Sequence, residues 1–147
     1  MMADISKISD IIQKYTPDGV QVEQDGELLP VWLGSKYVVK VFSNKQYFQN
    51  ILLAHSVLDP IDRSSKLIES FEISSEHYVV VEEFIQGKHL QGDVGDLAVV
   101  GFYQEMINLG LDPGDWDFNP ENYIIDENDN FRVKVIDLGD LFFSYSV

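Results

Sequence analysis

Apolar residues recur every three or four positions in three parts of the chain, which is the spacing of one face of an α-helix. These parts are residues 4–15, 44–58 and 96–109. Asp4 is a candidate N-cap of the first helix, and Pro17, Pro60 and Gly110 follow the three parts as residues that end helices. The pattern therefore predicts three helices. The apolar face of the third consists of Leu97, Val100, Tyr103, Met106 and Ile107.

Short apolar segments between turn residues predict β-strands. Five of them lie in the first part of the chain, at residues 20–23, 28–33, 37–42, 66–73 and 77–84. The first three follow one another closely and predict an antiparallel meander. Two later segments, residues 123–125 and 131–136, flank a polar turn and predict a hairpin. Together with the helices, these strands predict an α+β fold in a single domain of 147 residues.

The composition narrows the class of partner. There are 25 Asp and Glu against 10 Lys and Arg, which gives a formal net charge of −15. Phosphate backbones and anionic lipids are bound through clustered cations, so we expect neither a nucleic-acid nor a membrane partner. The chain has no cysteine, which excludes disulfides, thiolate zinc sites and cysteine nucleophiles. With 45% hydrophobic residues it can bury a core, and a cytoplasmic location is the default expectation.

The candidate catalytic residues are concentrated in the last third of the chain. Asp117 and Asn122 lie five positions apart before the predicted hairpin, and Asp137 follows it. A tight loop can aim one carboxylate at an attacking hydroxyl, while an amide oxygen and a second carboxylate converge on Mg²⁺. The hairpin would fold the chain back so that Asn122 and Asp137 can meet.

This ordered set resembles the protein-kinase family. Asp117 and Asn122 match the aspartate and asparagine of the loop H-R-D-x-x-x-x-N, and residues 137–139, Asp-Leu-Gly, take the place of D-F-G. Lys40, in the sequence Val-Val-Lys, resembles the lysine of V-A-I-K. The resemblance implies that Asp117 and Lys40 are catalytic, with Lys40 on the phosphates of ATP, and that Asn122 and Asp137 hold Mg²⁺ or Mn²⁺.

The strands at residues 66–71 and 77–85 resemble the fourth and fifth kinase strands, which run into a hinge. The resemblance implies that backbone groups of Glu83, Phe84 and Ile85 face the adenine. It covers roughly residues 20–140. It implies a kinase-like α+β fold: a five-stranded antiparallel sheet with a helix over about residues 1–85, which include the N-terminal helix, and a truncated second lobe over about residues 86–147.

Three departures from the family pattern bear on activity. Where kinases have a Gly-rich loop, residues 24–27 hold one glycine and two acids, which would repel phosphate. Kinases also supply a glutamate from the helix after the lysine, but no acid lies between positions 41 and 58, where Gln49 or Asn50 occupies the expected place. The chain stops ten residues after Asp137, so the expected second lobe lacks an activation segment.

Simpler interpretations of the same residues stay open. Lys40 could protect an edge strand against aggregation. The acids and amides of the last third are also common in turns and caps. Residues 126–131 begin like an EF-hand loop, but Phe131 stands where that loop needs glycine. A hairpin turn is therefore the expected structure there, rather than a calcium site.

Three functions follow from these observations. The first is a reduced kinase-like phosphotransferase that binds Mg-ATP and transfers phosphate to a hydroxyl. The second is a catalytically inactive pseudokinase that serves as a binding module. The third is an acidic inhibitor or immunity-type protein that occupies a basic surface on a partner.

The C-terminal residues 141–147 contain five apolar side chains. These are Leu141, Phe142, Phe143, Tyr145 and Val147. Exposing several of them at one surface would be unfavourable, since burying one Phe or Leu is worth about 1.5–3 kcal/mol. We expect the tail either to fold back on the last helix of its own chain or to be covered by a protein partner or a second copy.

Overall fold

The computed structural model of the protein describes residues 2–22, 28–112, 123–136 and 144–145. The chain forms two compact units. The first comprises Met1–Gln49 and Lys66–Phe84, and the second comprises Asn50–Ser65 and Ile85–Val147. In the described residues, no helix has the length and apolarity needed to cross a membrane.

The first unit is built on a five-stranded antiparallel sheet, as predicted. Its helix α1 and its strands are α1 Met2–Tyr15, β1 Val20–Val22, β2 Leu28–Leu33, β3 Tyr37–Phe42, β4 Leu67–Glu72 and β5 Tyr78–Glu83. The strand order is β1-β2-β3-β5-β4. The predicted meander of the first three strands is confirmed, and β5 inserts between β3 and β4.

The two faces of the central strands have different environments because side chains alternate along a strand. One face forms an apolar core in which α1 packs on the sheet. Its buried members are Ile11, Val39, Val41, Val79 and Val81. On the other face, Phe48 of helix α2 (Lys45–Leu58) stacks on Tyr78 with ring centroids 4.9 Å apart. Lys40 and its direct partner Val80 share this second face.

Asp4 has a different role from the expected N-cap, because α1 begins two residues earlier. Its carboxylate lies in the first turn and accepts hydrogen bonds from Ser74 Oγ at 2.6 Å and His77 Nδ1 at 2.9 Å. Ser74 and His77 flank the turn between β4 and β5. Asp4 therefore links the first turn of α1 to the turn that connects β4 and β5.

Asp4→Asn is expected to lower stability at neutral pH and to have no effect in strong acid. Hydrogen bonds from Ser74 and then His77 hold the pKa of Asp4 below its ordinary value. A carboxyl group whose pKa is lowered by folding stabilises the folded state above its unfolded pKa, near 3.9, and loses that contribution as pH falls through its folded pKa. Urea denaturation across this range measures the difference. The exposed Asp10→Asn, on the same helix, is the control, and a difference independent of pH would contradict this role.

In its described residues, the second unit contains the rest of α2, a short 3₁₀ helix Asp59–Ile61, helix α3 and five short strands. The bounds are β6 Gly87–His89, α3 Gly92–Asn108, β7 Leu111–Asp112, β8 Tyr123–Asp126, β9 Arg132–Val135 and β10 Ser144–Tyr145. Strands β6, β8 and β9 form one antiparallel sheet, and β7 pairs with β10. The predicted hairpin is confirmed as β8 and β9. Strands β6, β7 and β10 were not predicted from the sequence.

The predicted apolar face of α3 and the face that the structure buries share Met106, but most of the predicted residues are not buried. Val99, Phe102 and Met106 are buried, and Phe102 packs edge-on against Tyr123 of β8 with ring centroids 5.6 Å apart. Leu97 and Val100, which were placed on the apolar face, are exposed. The helix has apolar residues on more than one side, so its hydrophobic pattern alone does not identify the side that contacts β8.

The C-terminal tail is described only at Ser144–Tyr145, where its backbone pairs antiparallel with Leu111–Asp112. This pairing places these two residues beside the strand that follows α3, and covering of α3 itself by the tail stays a hypothesis. The aromatic pair Phe142 and Phe143 lies outside the described residues, and covering by a partner or second copy stays a hypothesis.

Candidate functional site

Lys40 lies in the middle of β3 and is mostly buried. Its Nζ is 2.7 Å from Oε1 of Glu82 on β5, and the two side chains are 14% and 2% exposed. Strand β3 pairs with β2 on one side and with β5 on the other, so Lys40 is not on an edge strand. The interpretation of Lys40 as an edge-strand lysine is therefore wrong.

The sheet register brings Lys40 and Glu82 together. Lys40 is directly opposite Val80, and Val38 is directly opposite Glu82. Residues two apart on a strand share a face, so Glu82 is the diagonal neighbour of Lys40, within reach of long side chains. Glu82 was not predicted as a site residue, because the register of two strands about forty residues apart is not visible in the sequence. The local signal in the sequence is the apolar run that precedes it, Tyr78, Val79, Val80 and Val81, which is typical of a buried strand.

The predicted adenine-facing segment has part of its backbone engaged in the first unit. The N–H of Glu83 donates to the carbonyl of Lys66 at 2.9 Å, and the N–H of Phe84 donates to the carbonyl of Lys36 at 2.9 Å. These two bonds attach the end of β5 to Lys36, which directly precedes β3, and to Lys66, which directly precedes β4. Ile85, the next residue, has a buried side chain.

The other predicted site residues lie beside the described hairpin. Strands β8 and β9 pair with Tyr123 opposite Val135, so the chain enters and leaves the hairpin at the same end. In sequence, Asn122 directly precedes β8 and Asp137 follows β9 by two positions. Asn122 and Asp137 themselves, like Asp117, lie outside the described residues. Among described residues, no group of three or more His, Asp or Glu side chains is arranged to hold a metal.

Backbone bonds fix this end of the hairpin within the second unit. The N–H of Val135 donates to the carbonyl of Arg63 at 3.0 Å, and the N–H of Ser65 donates to the carbonyl of Val135 at 3.1 Å. On the other strand, the N–H of Leu90 donates to the carbonyl of Tyr123 at 3.2 Å. Both strand ends that lead to the candidate metal ligands are therefore anchored.

The turn of the hairpin encloses a lysine. Nζ of Lys134 lies 2.8 Å from Asp126 and 3.1 Å from Asp129, and Lys134 and Asp126 are buried. Burial alone would lower the pKa of Lys134, but hydrogen bonds and charge from the two aspartates raise it above its ordinary value. In the segment that begins like an EF-hand loop, the positive charge between the carboxylates is thus a lysine ammonium. Asn130 and Phe131 close the turn in the left-handed region, with φ of 54° and 57°.

Solved structures of WbdD and of Rad53 have a fold similar to that of this chain. A crystal structure of monomeric WbdD matches with a TM-score of 0.57 and 17% identity over 79% of this chain and 33% of that chain. WbdD co-crystallised with the kinase inhibitor LY294002 matches with a TM-score of 0.56 and 16% identity, over 84% and 32%. A structure of Rad53 in complex with AMP-PNP matches with a TM-score of 0.52 and 20% identity, over 82% and 38%.

No protein-family model matches this sequence, and no curated protein sequence matches it. The likeness to the solved structures establishes the fold: this chain has a kinase-like α+β architecture. The chain spans about a third of the length of the WbdD structures that it matches.

Proposed function

We propose that this protein binds Mg-ATP through its kinase-like fold and transfers phosphate to a hydroxyl. The observation that carries the proposal is the ion pair of Lys40 and Glu82 in the centre of the sheet. Burying two charges is expensive, and apolar residues of similar volume often give equal or greater stability. Buried ionisable groups of this kind concentrate at functional sites. A phosphate-binding role would account for a mostly buried lysine at this position.

The proposed roles follow the kinase resemblance. Lys40 binds the phosphates, Asn122 and Asp137 hold Mg²⁺ or Mn²⁺, and Asp117 orients the attacking hydroxyl. Since Glu83 and Phe84 use their N–H groups within the protein, the N–H of Ile85 is the proposed adenine donor. The structures with AMP-PNP and with a kinase inhibitor support a nucleotide site in proteins of this fold.

Nucleotide binding is expected to require a divalent cation. The chain carries a net charge of −15, so ATP without metal would meet strong repulsion, whereas Mg²⁺ neutralises much of its charge. Saturating Mg-ATP should raise the melting temperature, because a ligand at 100 times its Kd stabilises the folded state by about 2.7 kcal/mol. Lys40→Met and Asp137→Asn should each reduce this rise. No shift with ATP under any metal condition would contradict the proposal and favour the acidic-inhibitor hypothesis.

Asp117→Ala is expected to abolish phosphate transfer while leaving Mg-ATP affinity nearly unchanged. A carboxylate that orients the attacking hydroxyl acts on the transition state, so its loss lowers kcat with little effect on ground-state binding. Transfer of labelled γ-phosphate and calorimetric binding, measured on the same preparations, separate the two effects. Equal turnover in wild type and variant would remove Asp117 from the mechanism.

A nucleotide-binding pseudokinase is the second candidate. It is favoured by the acids Asp25 and Glu27, which stand where kinases have glycines over the phosphates. Under this function Mg-ATP raises the melting temperature, and no γ-phosphate is transferred or released by wild type.

A further inference from the structure

We propose that Glu82 is the positioning residue of Lys40, in place of the helix glutamate that kinases use. This inference rests on the proposed nucleotide-binding function and adds a residue to it. The direct observation is the 2.7 Å contact between Lys40 Nζ and Glu82 Oε1, with Glu82 almost fully buried. Helix α2, which should supply the carboxylate, carries no Asp or Glu.

The sheet gives this contact a rigid basis. Strands β3 and β5 pair at six consecutive positions, from Tyr37 opposite Glu83 to Phe42 opposite Tyr78, with no shift of register. Val80, which is directly opposite Lys40 and on the same face as Glu82, is fully buried. Glu82 is therefore held relative to Lys40 by the backbone of two adjacent strands. A carboxylate on a helix would depend on how that helix packs, whereas Glu82 is fixed whenever the sheet is formed.

The chemistry of the pair suits phosphate binding. An ammonium group has three N–H donors, so a contact to one carboxylate oxygen is compatible with contacts to phosphate oxygens. A lysine side chain has large rotamer entropy, and holding it extended before the ligand arrives reduces the entropy lost on binding. Glu82 also has an unfavourable electrostatic effect on binding, because a carboxylate near the phosphates repels them. The gain in Mg-ATP affinity from holding Lys40 in position outweighs this repulsion.

The first unit contains a matched control pair. Lys45 of α2 and Glu72 of β4 form an exposed ion pair at 4.0 Å, with side chains 59% and 57% exposed. Changing Lys45 and Glu72 alters the charge of the first unit by the same amounts as changing Lys40 and Glu82. A second control is Gln49→Ala, at one of the two helix positions, 49 and 50, where the family pattern expects the glutamate.

The experiment is a double-mutant cycle on Mg-ATP affinity, measured by calorimetry on the full chain. Its members are wild type, Glu82→Gln, Lys40→Met and the double variant. Glu82→Gln should weaken binding about tenfold, the lower end of what loss of a charged hydrogen bond produces. In the Lys40→Met background, Glu82→Gln should weaken it no further, because Glu82 acts through the lysine. The Lys45→Met and Glu72→Gln cycle and Gln49→Ala should leave affinity within about twofold of wild type.

The outcomes separate this inference from the proposed function. If wild type binds Mg-ATP, but Glu82→Gln binds equally or more tightly, or the two effects add, the positioning role is overturned and nucleotide binding stands. If wild type does not bind, the proposed function fails and the inference fails with it. If Glu82→Gln does not fold, Glu82→Asp replaces it, since it keeps the charge but withdraws the carboxylate by one methylene. Unchanged affinity in Glu82→Asp would then overturn the positioning role.

Discussion

Lys134→Met is expected to lower the free energy of unfolding by about 3–5 kcal/mol, the usual effect of removing one partner from a buried ion pair. The ammonium group lies between Asp126 and Asp129 at 2.8 and 3.1 Å, and Lys134 and Asp126 are buried. Methionine keeps most of the apolar volume, so the loss comes from charge. It leaves two carboxylates close together in the turn with no cation between them.

The neighbouring Arg132→Met is the control for this change. Arg132 is half-exposed and lies 4.0 Å from Asp129, so its loss should cost less than about 1 kcal/mol. Urea denaturation with a common m-value measures both variants. Equal effects would show that the hairpin does not depend on the buried charge.

The effect of Lys134→Met should also depend on pH. Folding raises the pKa of Lys134, so its contribution is complete below the unfolded lysine pKa, near 10.4, and is lost as pH rises through the folded pKa. The difference between wild type and variant should therefore persist through neutral pH and narrow at strongly alkaline pH. A difference that stays constant through alkaline pH would contradict the charge-based account.

The elements of the fold could be predicted largely from local sequence. The five-stranded sheet, α1, α2 and the β8–β9 hairpin follow from apolar spacing and from turn residues, which act over a few positions. The strand order could not be predicted, because the insertion of β5 between β3 and β4 depends on long-range pairing. Strands β6, β7 and β10 are two or three residues long, too short to show a period of two.

The site was predictable only as far as its residues act locally. Lys40 was identified by its strand and its place in the chain, but its partner Glu82 depends on the β3–β5 register. Lys134 was missed for a similar reason, because only the closed turn brings it to Asp126 and Asp129. In each case the sequence contains the charge, and the pairing of two strands decides what that charge contacts.

Gly87→Ala is expected to destabilise the second unit by about 3 kcal/mol, the upper range for overpacking. A Cβ at Gly87 would lie 1.9 Å from the carbonyl oxygen of Ile125 and 2.9 Å from its carbon. These are backbone atoms of β8, so no side-chain rotation relieves the overlap. Strand β6 would have to separate from β8, with loss of the pairing of Lys88 with Ile125 and of His89 with Ile124.

Gly101→Ala is the control, because it should change the free energy of unfolding in the opposite direction. Gly101 is exposed in the middle of α3, and a Cβ there would meet nothing within 4 Å. Alanine is favoured over glycine in a helix interior by about 1 kcal/mol, so this variant should be more stable than wild type. Denaturation of the two variants, with hydrogen exchange at Leu90, whose N–H donates to Tyr123, measures the local effect.

Because Tyr123 directly follows Asn122, Gly87→Ala should also weaken Mg-ATP binding if Asn122 is a metal ligand. Equal free energies of unfolding for Gly87→Ala and Gly101→Ala would contradict the close packing of Gly87 in β6 against the backbone of Ile125 in β8.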